Sequence, residues 1–397
     1  MILRLTPKII LENTYFNIYD VFCLFGAFLA FLLGCIFIFN KKFKTKSNIA
    51  LAIALFSVSL LVLYNIFTAL ALVLNHISPS SDFVIPKALI FYLPTFYIFF
   101  IPFGFYYSIK YLLDPDYKFQ QRDYWAFIPV FFVGIIDLIF LFLYLFSYDV
   151  IKDHSYLRRW YGDIFLNTIV PLYIIIGSTL SWKQINQYQK QLLNNYAHIE
   201  GRDLQWLRAT LKFSFTITII FIAFRVAFIF FPVYHKVFFY IIWLLITAFM
   251  CFIAFQVIIN QNFYLIPHFK EKKEKLEPVK VLSEKTDEHH QYLLALMQKE
   301  KLYHDNDLNM DTLAEKIQLS KGYISRIINQ KEGKNFYDFV NTFRVEEVKK
   351  NLNNPDFAHY SILGIGLAAG FKSKSTFNTV FKKMTGMTPS AYKKTLK

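Results

Sequence analysis

The sequence predicts an all-α fold in two parts, a polytopic seven-helix transmembrane bundle followed by a polar helical domain. Hydrophobic residues make up 55% of the 397-residue chain and charged residues only 18%, whereas soluble chains average about 25% charged residues. The mean hydropathy of +0.35 is likewise too high for a soluble protein of this length. Apolar runs of about 20 residues, the length of a membrane span, fill the chain up to residue 259. The remainder is polar, with helical spacing of its apolar side chains.

Seven apolar runs are long enough to cross about 30 Å of hydrocarbon. They lie near residues 19–39, 49–74, 88–113, 124–146, 163–182, 211–231 and 237–259. Because their number is odd, the two ends of the chain are predicted on opposite sides of the membrane.

The basic residues between the runs predict the orientation. The loop 40–46 holds four lysines and no acid, which is typical of a cytoplasmic loop. The N-terminus is then outside and the C-terminal part in the cytoplasm, in a multi-pass protein of the inner (cytoplasmic) membrane. The loop with Lys152, Arg158 and Arg159 falls outside and counts against this assignment.

Two charges lie at similar depth inside predicted spans, Asp137 in the fourth and Arg225 in the sixth. An unpaired charge there costs at least about 2.5 kcal/mol on insertion scales, so the sequence predicts an intramembrane ion pair. The pair either lines a ligand pocket or holds the bundle together. The span prolines likewise fit either kinks around a cavity or simple packing; they are Pro94, Pro102, Pro129 and Pro171.

No catalytic, metal-binding or cofactor-binding pattern is found in or between the spans, so we expect neither an enzyme nor a metalloprotein. The cysteines Cys23, Cys35 and Cys251 lie inside apolar runs without metal-ligand spacing, which is typical of core residues.

Two polar segments complete the membrane half. The insert 183–210 is helical in pattern and fits a cytoplasmic hairpin, a dimer contact or an extension of the flanking spans. The linker 260–287 mixes lysine and glutamate, as expected of a tether beside an anionic leaflet; a cleavage site is the alternative. The predicted domains are therefore 1–259, the linker 260–287, and 288–397.

The C-terminal domain begins with a predicted helix over 289–303. Asn309 is a good cap for a second helix, 310–318, and Ser320 caps a third, 321–330. In the third helix, isoleucines at 324, 327 and 328 form the core stripe. The residues predicted to point outward are Lys321, Tyr323, Ser325, Arg326 and Asn329.

A long helix, 336–352, precedes a second copy of the pattern. A short helix, 362–369, leads through a turn at Gly370 to a helix capped by Ser373, and a last helix starts at Pro389. The predicted outward residues of the capped helix are Ser373, Lys374, Ser375, Asn378, Thr379 and Lys382.

This arrangement predicts a cytoplasmic seven-helix domain with two helix-turn-helix units. Their two capped helices could enter major-groove segments about 34 Å apart. Lysine and arginine would bind phosphates, and arginine, asparagine and serine would read base edges. A merely solvated basic face is the alternative, but residues 361–397 carry seven lysines and no acid. Double-stranded DNA is therefore the predicted partner.

Residues 308–394 also resemble the DNA-binding domain of the AraC/XylS family. The resemblance rests on LAEKIQLSKGYISRIINQKEGKNFYDFVNTFR and on GFKSKSTFNTVFKKMTGMTPSAY. It implies a promoter-binding domain controlled by an N-terminal sensor, which in several members spans a membrane. Four positions depart from the family pattern: Gln318 replaces a usual Gly, Gly366 a usual Ala and Lys393 a common Arg, and Gly364 adds a second glycine to the short helix.

The favoured hypothesis is a membrane-embedded one-component transcription regulator. It would sense a small-molecule or envelope signal through the lipid-embedded half and bind promoter DNA, as a homodimer, with RNA polymerase as a further partner. The alternative is a membrane transporter or channel with a regulatory helix-turn-helix module, although its halves show no internal repeat. A third hypothesis, a tail that binds only other proteins, is disfavoured by the specificity of the second string.

Overall fold

The computed structural model describes residues 18–77, 95–146, 167–230, 235–259 and 285–396. In these ranges every regular element is a helix and no β-strand occurs, so the all-α prediction is confirmed. The chain forms two compact units that interleave in sequence. Unit 1 comprises Met1–Ile185 and Gln205–Tyr264, and unit 2 comprises Asn186–Leu204 and Leu265–Lys397.

Seven helices of the described residues correspond to the seven predicted spans. They are α1 Ile18–Phe39, α2 Lys46–Ile77, α3 Phe100–Leu113, α4 Ile128–Phe146, α5 Asn167–Asn195, α6 Gln205–Phe230 and α7 His235–Ile259.

Not every one of these helices meets the length and hydropathy of a membrane span. Among the described residues five stretches do so: Tyr19–Phe39, Lys46–Phe67, Phe96–Leu113, Gln121–Leu143 and Gln205–Ala227. Helix α7 contributes a shorter apolar stretch, Tyr240–Gln256. Helix α5 is apolar at its start and polar at its end, because it runs well beyond the predicted span into the insert.

Small residues allow the helices of unit 1 to pack closely. Ala27 and Ala30 of α1 and Ala52 of α2 are buried in one core with Phe249 of α7. A Cβ at Gly104 of α3 would lie 2.5 Å from the Ala50 carbonyl oxygen of α2. Close approach at small residues is typical of membrane helices, where the packing itself drives association.

Large apolar side chains cover the outside of unit 1. Phe28 is 63% exposed, Phe131 69% and Phe142 59%. Contiguous exposed apolar surface is rare on soluble monomers. The described helices of unit 1 therefore carry large apolar side chains on exposed faces as well as in their cores.

Asp137 corrects the predicted intramembrane pair. It is 5% exposed on α4, and its carboxylate accepts hydrogen bonds from the backbone N–H groups of Thr95 at 2.6 Å and Phe96 at 3.0 Å. These amides begin a short 3₁₀ helix, Phe96–Phe99, whose first donors have no partner within the helix. No ion pair between Asp137 and Arg225 is found among the described residues, and the partners observed for the carboxylate are Thr95 and Phe96.

The predicted proline kinks find little support. Pro102 and Pro129 lie in the first turns of α3 and α4, where proline removes no intrahelical hydrogen bond. Pro171 lies within α5. Pro94 lies outside the described residues, as do the loop with Lys152 and residues 260–284 of the linker.

Unit 2 contains the seven helices that the sequence predicts for the C-terminal domain. They are α8 Thr286–Lys299, α9 Met310–Ile317, α10 Lys321–Ile327, α11 Phe336–Leu352, α12 Ile362–Ala368, α13 Lys374–Thr385 and α14 Pro389–Thr395. The first predicted helix is shorter, since residues 302–304 form a separate 3₁₀ turn. Helix α10 also ends earlier, because Ile328–Glu332 is a π-helical turn.

Helix α11 joins two hydrophobic cores. Phe339 and Val340 belong to a core with α8, α9 and α10, whereas Val345 and Val348 belong to a core with α12 and α13. Each helix-turn-helix unit therefore has its own core, and one helix connects the two.

Most of the insert, Asn186–Leu204, belongs to unit 2. Helix α5 extends to Asn195, and the following loop returns the chain to α6 at Gln205. Ala197 is fully buried in the first core, and Leu193 and Ile199 pack against the second. Of the three alternatives for this segment, the extension of a flanking span is observed, but it ends in a loop docked on the C-terminal helices.

Candidate DNA-binding surface

The first helix-turn-helix unit consists of α9, the turn at Gln318–Ser320 and α10. Gln318 has φ 56°, a left-handed conformation that costs a side-chain-bearing residue roughly 1–2 kcal/mol. This is the position where the family usually has Gly. Ser320 caps α10 by accepting a hydrogen bond from the Tyr323 N–H at 3.3 Å. The turn is therefore built as predicted, with a strained residue at its corner.

Tyr323 corrects the predicted outward face of α10. It is 6% exposed, and its hydroxyl lies 3.0 Å from Nδ1 of His289 on α8. The helical spacing places Tyr323 beside the core stripe, but only the position of α8 decides that this edge is covered. Tyr323 is therefore too buried to be a candidate DNA contact.

The other four residues predicted on this face remain accessible, three of them on α10 and Asn329 on the π-helical turn that follows it. Ser325 and Arg326 are half-buried and Asn329 is exposed. The Asn329 amide donates to the Ser325 carbonyl at 2.7 Å, and Lys321 forms an ion pair with Asp311 of α9. Arg326 thus provides a guanidinium between polar groups that are already ordered by local hydrogen bonds.

Glycine is required at two positions of the second unit. Gly370, in the turn before α13, has φ 97°, and a Cβ there would lie 2.2 Å from the Tyr303 carbonyl oxygen. A Cβ at Gly366 of α12 would lie 2.8 Å from the ring of Phe377. The glycine that replaces the family's usual alanine is therefore matched to a closely packed aromatic ring.

Helix α13 presents its predicted polar face. Ser373 caps the helix by accepting a hydrogen bond from the Thr376 N–H at 3.1 Å. Its remaining predicted contacts are exposed: Lys374, Ser375, Asn378 and Lys382. Lys383, next to this face, is instead paired with Asp338 at 2.7 Å.

Sequence reasoning missed Glu200 of the insert. Its carboxylate accepts hydrogen bonds from the hydroxyls of Ser373, Ser375 (2.8 Å) and Thr376 (2.7 Å). Hydrogen bonds from Ser373 and Thr376 hold the pKa of Glu200 below its ordinary value. No sequence signal could have found this contact, because the partners are 173 residues apart.

Sequence reasoning also missed Arg344 of α11. The side chain is 1% exposed, and its guanidinium donates to the carbonyls of Tyr303 (2.8 Å), Asp305 (2.7 Å) and Ala197 (3.2 Å). Burial lowers its pKa to about 10. A signal existed, since residue 344 lies between the buried Val340 and Val348 at four-residue spacing. An arginine on a core stripe is expected to satisfy buried backbone acceptors.

Comparisons with known proteins are consistent with this geometry. A family described as helix-turn-helix domain matches residues 313–395. The probable transcription factor PqrA of Proteus vulgaris is 34% identical over 92 residues, which are 23% of this chain and 73% of that protein. The chain belongs to the AraC family. It accordingly carries an AraC-type DNA-binding domain over residues 313–395.

Other relatives are similar to this AraC-family protein over stretches of about the same length. The melibiose operon regulatory protein of Escherichia coli K12 is 32% identical over 91 residues, 23% of this chain and 29% of that one. An uncharacterized HTH-type transcriptional regulator of Staphylococcus aureus strain COL is 33% identical over 92 residues, 23% of this chain and 12% of that one. The chain thus spans only a small part of these two relatives. No solved structure matches it.

Proposed function

We propose that this AraC-family protein is a membrane-embedded one-component regulator. The observation that carries the proposal is the presence, in one chain, of an AraC-type domain and, among the described residues, five helices long and apolar enough to cross a membrane. A protein so built would detect a small-molecule or envelope signal through unit 1 and bind promoter DNA through unit 2.

The charge distribution supports an orientation with unit 2 in the cytoplasm. The segment between α1 and α2 carries Lys41, Lys42 and Lys44, all exposed or half-exposed. Positive loops are retained on the cytoplasmic side. DNA binding requires the same side for unit 2, so two unrelated arguments favour one topology.

Accessible side chains of α10, of the π-helical turn after it and of α13 with its cap are the proposed DNA contacts. Lysines would bind phosphates, and Arg326, Asn329 and Asn378 have the donor geometry for base edges. The full proposed set is Lys321, Ser325, Arg326, Asn329, Ser373, Lys374, Ser375, Asn378 and Lys382. Pairing of two copies in the membrane would raise the effective concentration of DNA-binding units, so a homodimer is part of the proposal, and RNA polymerase would be contacted at the promoter.

Chromatin immunoprecipitation of the tagged, intact protein tests the proposal, with membranes separated in parallel to determine chain length. We expect discrete promoter peaks from full-length protein that sediments with membranes. Peaks that require a shortened fragment would indicate release through the linker. The absence of peaks under every growth condition would favour the transporter or channel alternative, which solute flux in sealed vesicles would then test.

A further inference from the structure

The loop after α5 places an acidic side chain on the second candidate recognition helix. Glu200 lies in Asn186–Leu204, the part of the insert that belongs to unit 2. Its two carboxylate oxygens accept hydrogen bonds from Ser373, Ser375 and Thr376 at the start of α13. Two of these hydroxyls, on Ser373 and Ser375, belong to the residues proposed to contact DNA.

The position of the carboxylate is one that suits an anion. The first N–H groups of a helix point outward and carry the positive end of the helix dipole, so this end attracts carboxylates and phosphates. Three hydroxyl donors add charge-assisted hydrogen bonds. Because Glu200 is itself an anion held by three donors, it marks the site as one that binds an anionic oxygen group.

The backbone of the insert fixes this contact. The N–H of Ala197 donates to the Leu308 carbonyl at 3.1 Å, and Arg344 donates to the Ala197 carbonyl at 3.2 Å. Ala197 is fully buried. Glu200 therefore follows a segment that is hydrogen-bonded on both sides, and its contact with α13 does not depend on the side chain alone.

Bound DNA would require the same end of α13. In helix-turn-helix proteins the N-terminal residues of the recognition helix enter the major groove between phosphates. A carboxylate at this end would occupy hydrogen-bond donors and repel the DNA backbone. We propose that Glu200 stands in for a DNA backbone phosphate, so that the docked insert inhibits DNA binding by the second helix-turn-helix unit. The inference rests on the proposed DNA-contacting role of α13.

The ends of the insert suggest what would release it. Helix α5 begins in unit 1 and ends inside the insert, and α6, which follows the insert, lies in unit 1. A signal that shifts either helix would act directly on the loop that carries Glu200. Undocking would then free Ser373, Ser375 and Thr376 for a phosphate.

The test compares duplex binding by the full chain in lipid nanodiscs for three proteins: wild type, Glu200→Gln and Asp203→Asn. Asp203 is the only other acid in the insert, and its replacement makes the same change in net charge. A random-sequence duplex is used first, because phosphate contacts are independent of sequence. We expect Glu200→Gln to bind about tenfold more tightly, since it removes a charged competitor for hydrogen bonds, and Asp203→Asn to bind like wild type.

Salt dependence provides a second criterion. Glu200→Gln removes a negative charge that repels the DNA backbone, so its advantage over wild type should be largest at low salt and should shrink as salt screens the repulsion. Equal affinities and slopes for Glu200→Gln and wild type would overturn the inference. So would an equal gain in the Asp203→Asn variant, which would indicate a general charge effect.

Hydrogen exchange of the wild-type chain gives an independent readout. Binding of duplex DNA should increase exchange at the Ala197 amide and its neighbours, because the insert must leave its docked position. Unchanged protection in the DNA complex would contradict competition. The two proposals can also fail separately. If none of the three proteins binds any promoter more tightly than random DNA, the proposed regulator is contradicted. If Glu200→Gln nevertheless binds random DNA more tightly than wild type, this inference is still supported.

Discussion

At the residue scale, buried polar side chains organise unit 2 more than its surface charges do. The exposed ion pair of Lys349 with Glu346 belongs to a class that contributes at most about 1 kcal/mol. Arg344 is different, because its guanidinium is buried and satisfies three carbonyl oxygens. Groups of this kind are costly to leave without a partner.

Replacement of Arg344 by Leu is expected to destabilise unit 2 by about 3 kcal/mol or more, because it leaves buried carbonyl acceptors without donors. Limited proteolysis of the full chain against urea would measure the loss. Lys349→Ala, on the same helix, is the matched control and should change stability by less than about 0.5 kcal/mol. If the Arg344→Leu variant and wild type resist proteolysis to the same urea concentration, the hydrogen bonds of Arg344 do not contribute to stability.

Arg326 is expected to discriminate between DNA sequences. Its replacement by Ala should weaken binding to the promoter recovered by immunoprecipitation by about 1–3 kcal/mol and affect random duplex much less. Competition binding of the full chain on both duplexes would measure the difference. Lys316→Ala, a basic position on α9 paired with Glu300, is the control. The same loss on both duplexes would assign Arg326 to phosphate contact alone.

At the element scale, close packing explains a departure from the family pattern. The sequence alone indicates that Gly364 and Gly366 weaken α12, since glycine inside a helix costs roughly 0.5–1 kcal/mol relative to alanine. The structure adds the reason for one of them. Gly366 faces the ring of Phe377, whereas a Cβ at Gly364 would lie 3.2 Å from the Ser361 hydroxyl oxygen.

Gly366→Ala is therefore expected to destabilise the second helix-turn-helix unit by about 1–3 kcal/mol, the usual cost of overpacking a core, even though alanine is the usual residue of the family. Gly364→Ala provides the comparison and should be better tolerated. Hydrogen exchange of α12 and α13 amides would measure both effects. A Gly366→Ala variant more protected than wild type would show that the Phe377 ring moves aside freely.

At the scale of the whole molecule, the topology can be tested with single cysteines. Lys42→Cys, in the loop before α2, should be shielded from a membrane-impermeant thiol reagent in intact spheroplasts and labelled after permeabilisation, because this loop is predicted in the cytoplasm. Lys152→Cys should be labelled in intact spheroplasts. The parent chain, with Cys23, Cys35 and Cys251, supplies the background. Reversed labelling would place unit 2 outside the cytoplasm and exclude the proposed function.

The sequence by itself determined the helical class, the positions of both helix-turn-helix units and most of the outward face of α13. These features depend on local chemistry, namely the spacing of apolar side chains, the length of apolar runs and helix-capping side chains such as Asn309 and Ser373. Such chemistry acts over a few residues and can be recognised in the sequence alone.

Only the tertiary structure decided which polar groups meet across long sequence distances. Tyr323 is buried because α8 covers it, Asp137 binds the amides of Thr95 and Phe96 instead of pairing with Arg225, and Glu200 docks on α13. In each case, a buried or polar group is satisfied by a partner that the chain brings close only by folding. Periodicity specifies the face of a helix, but packing decides what occupies that face.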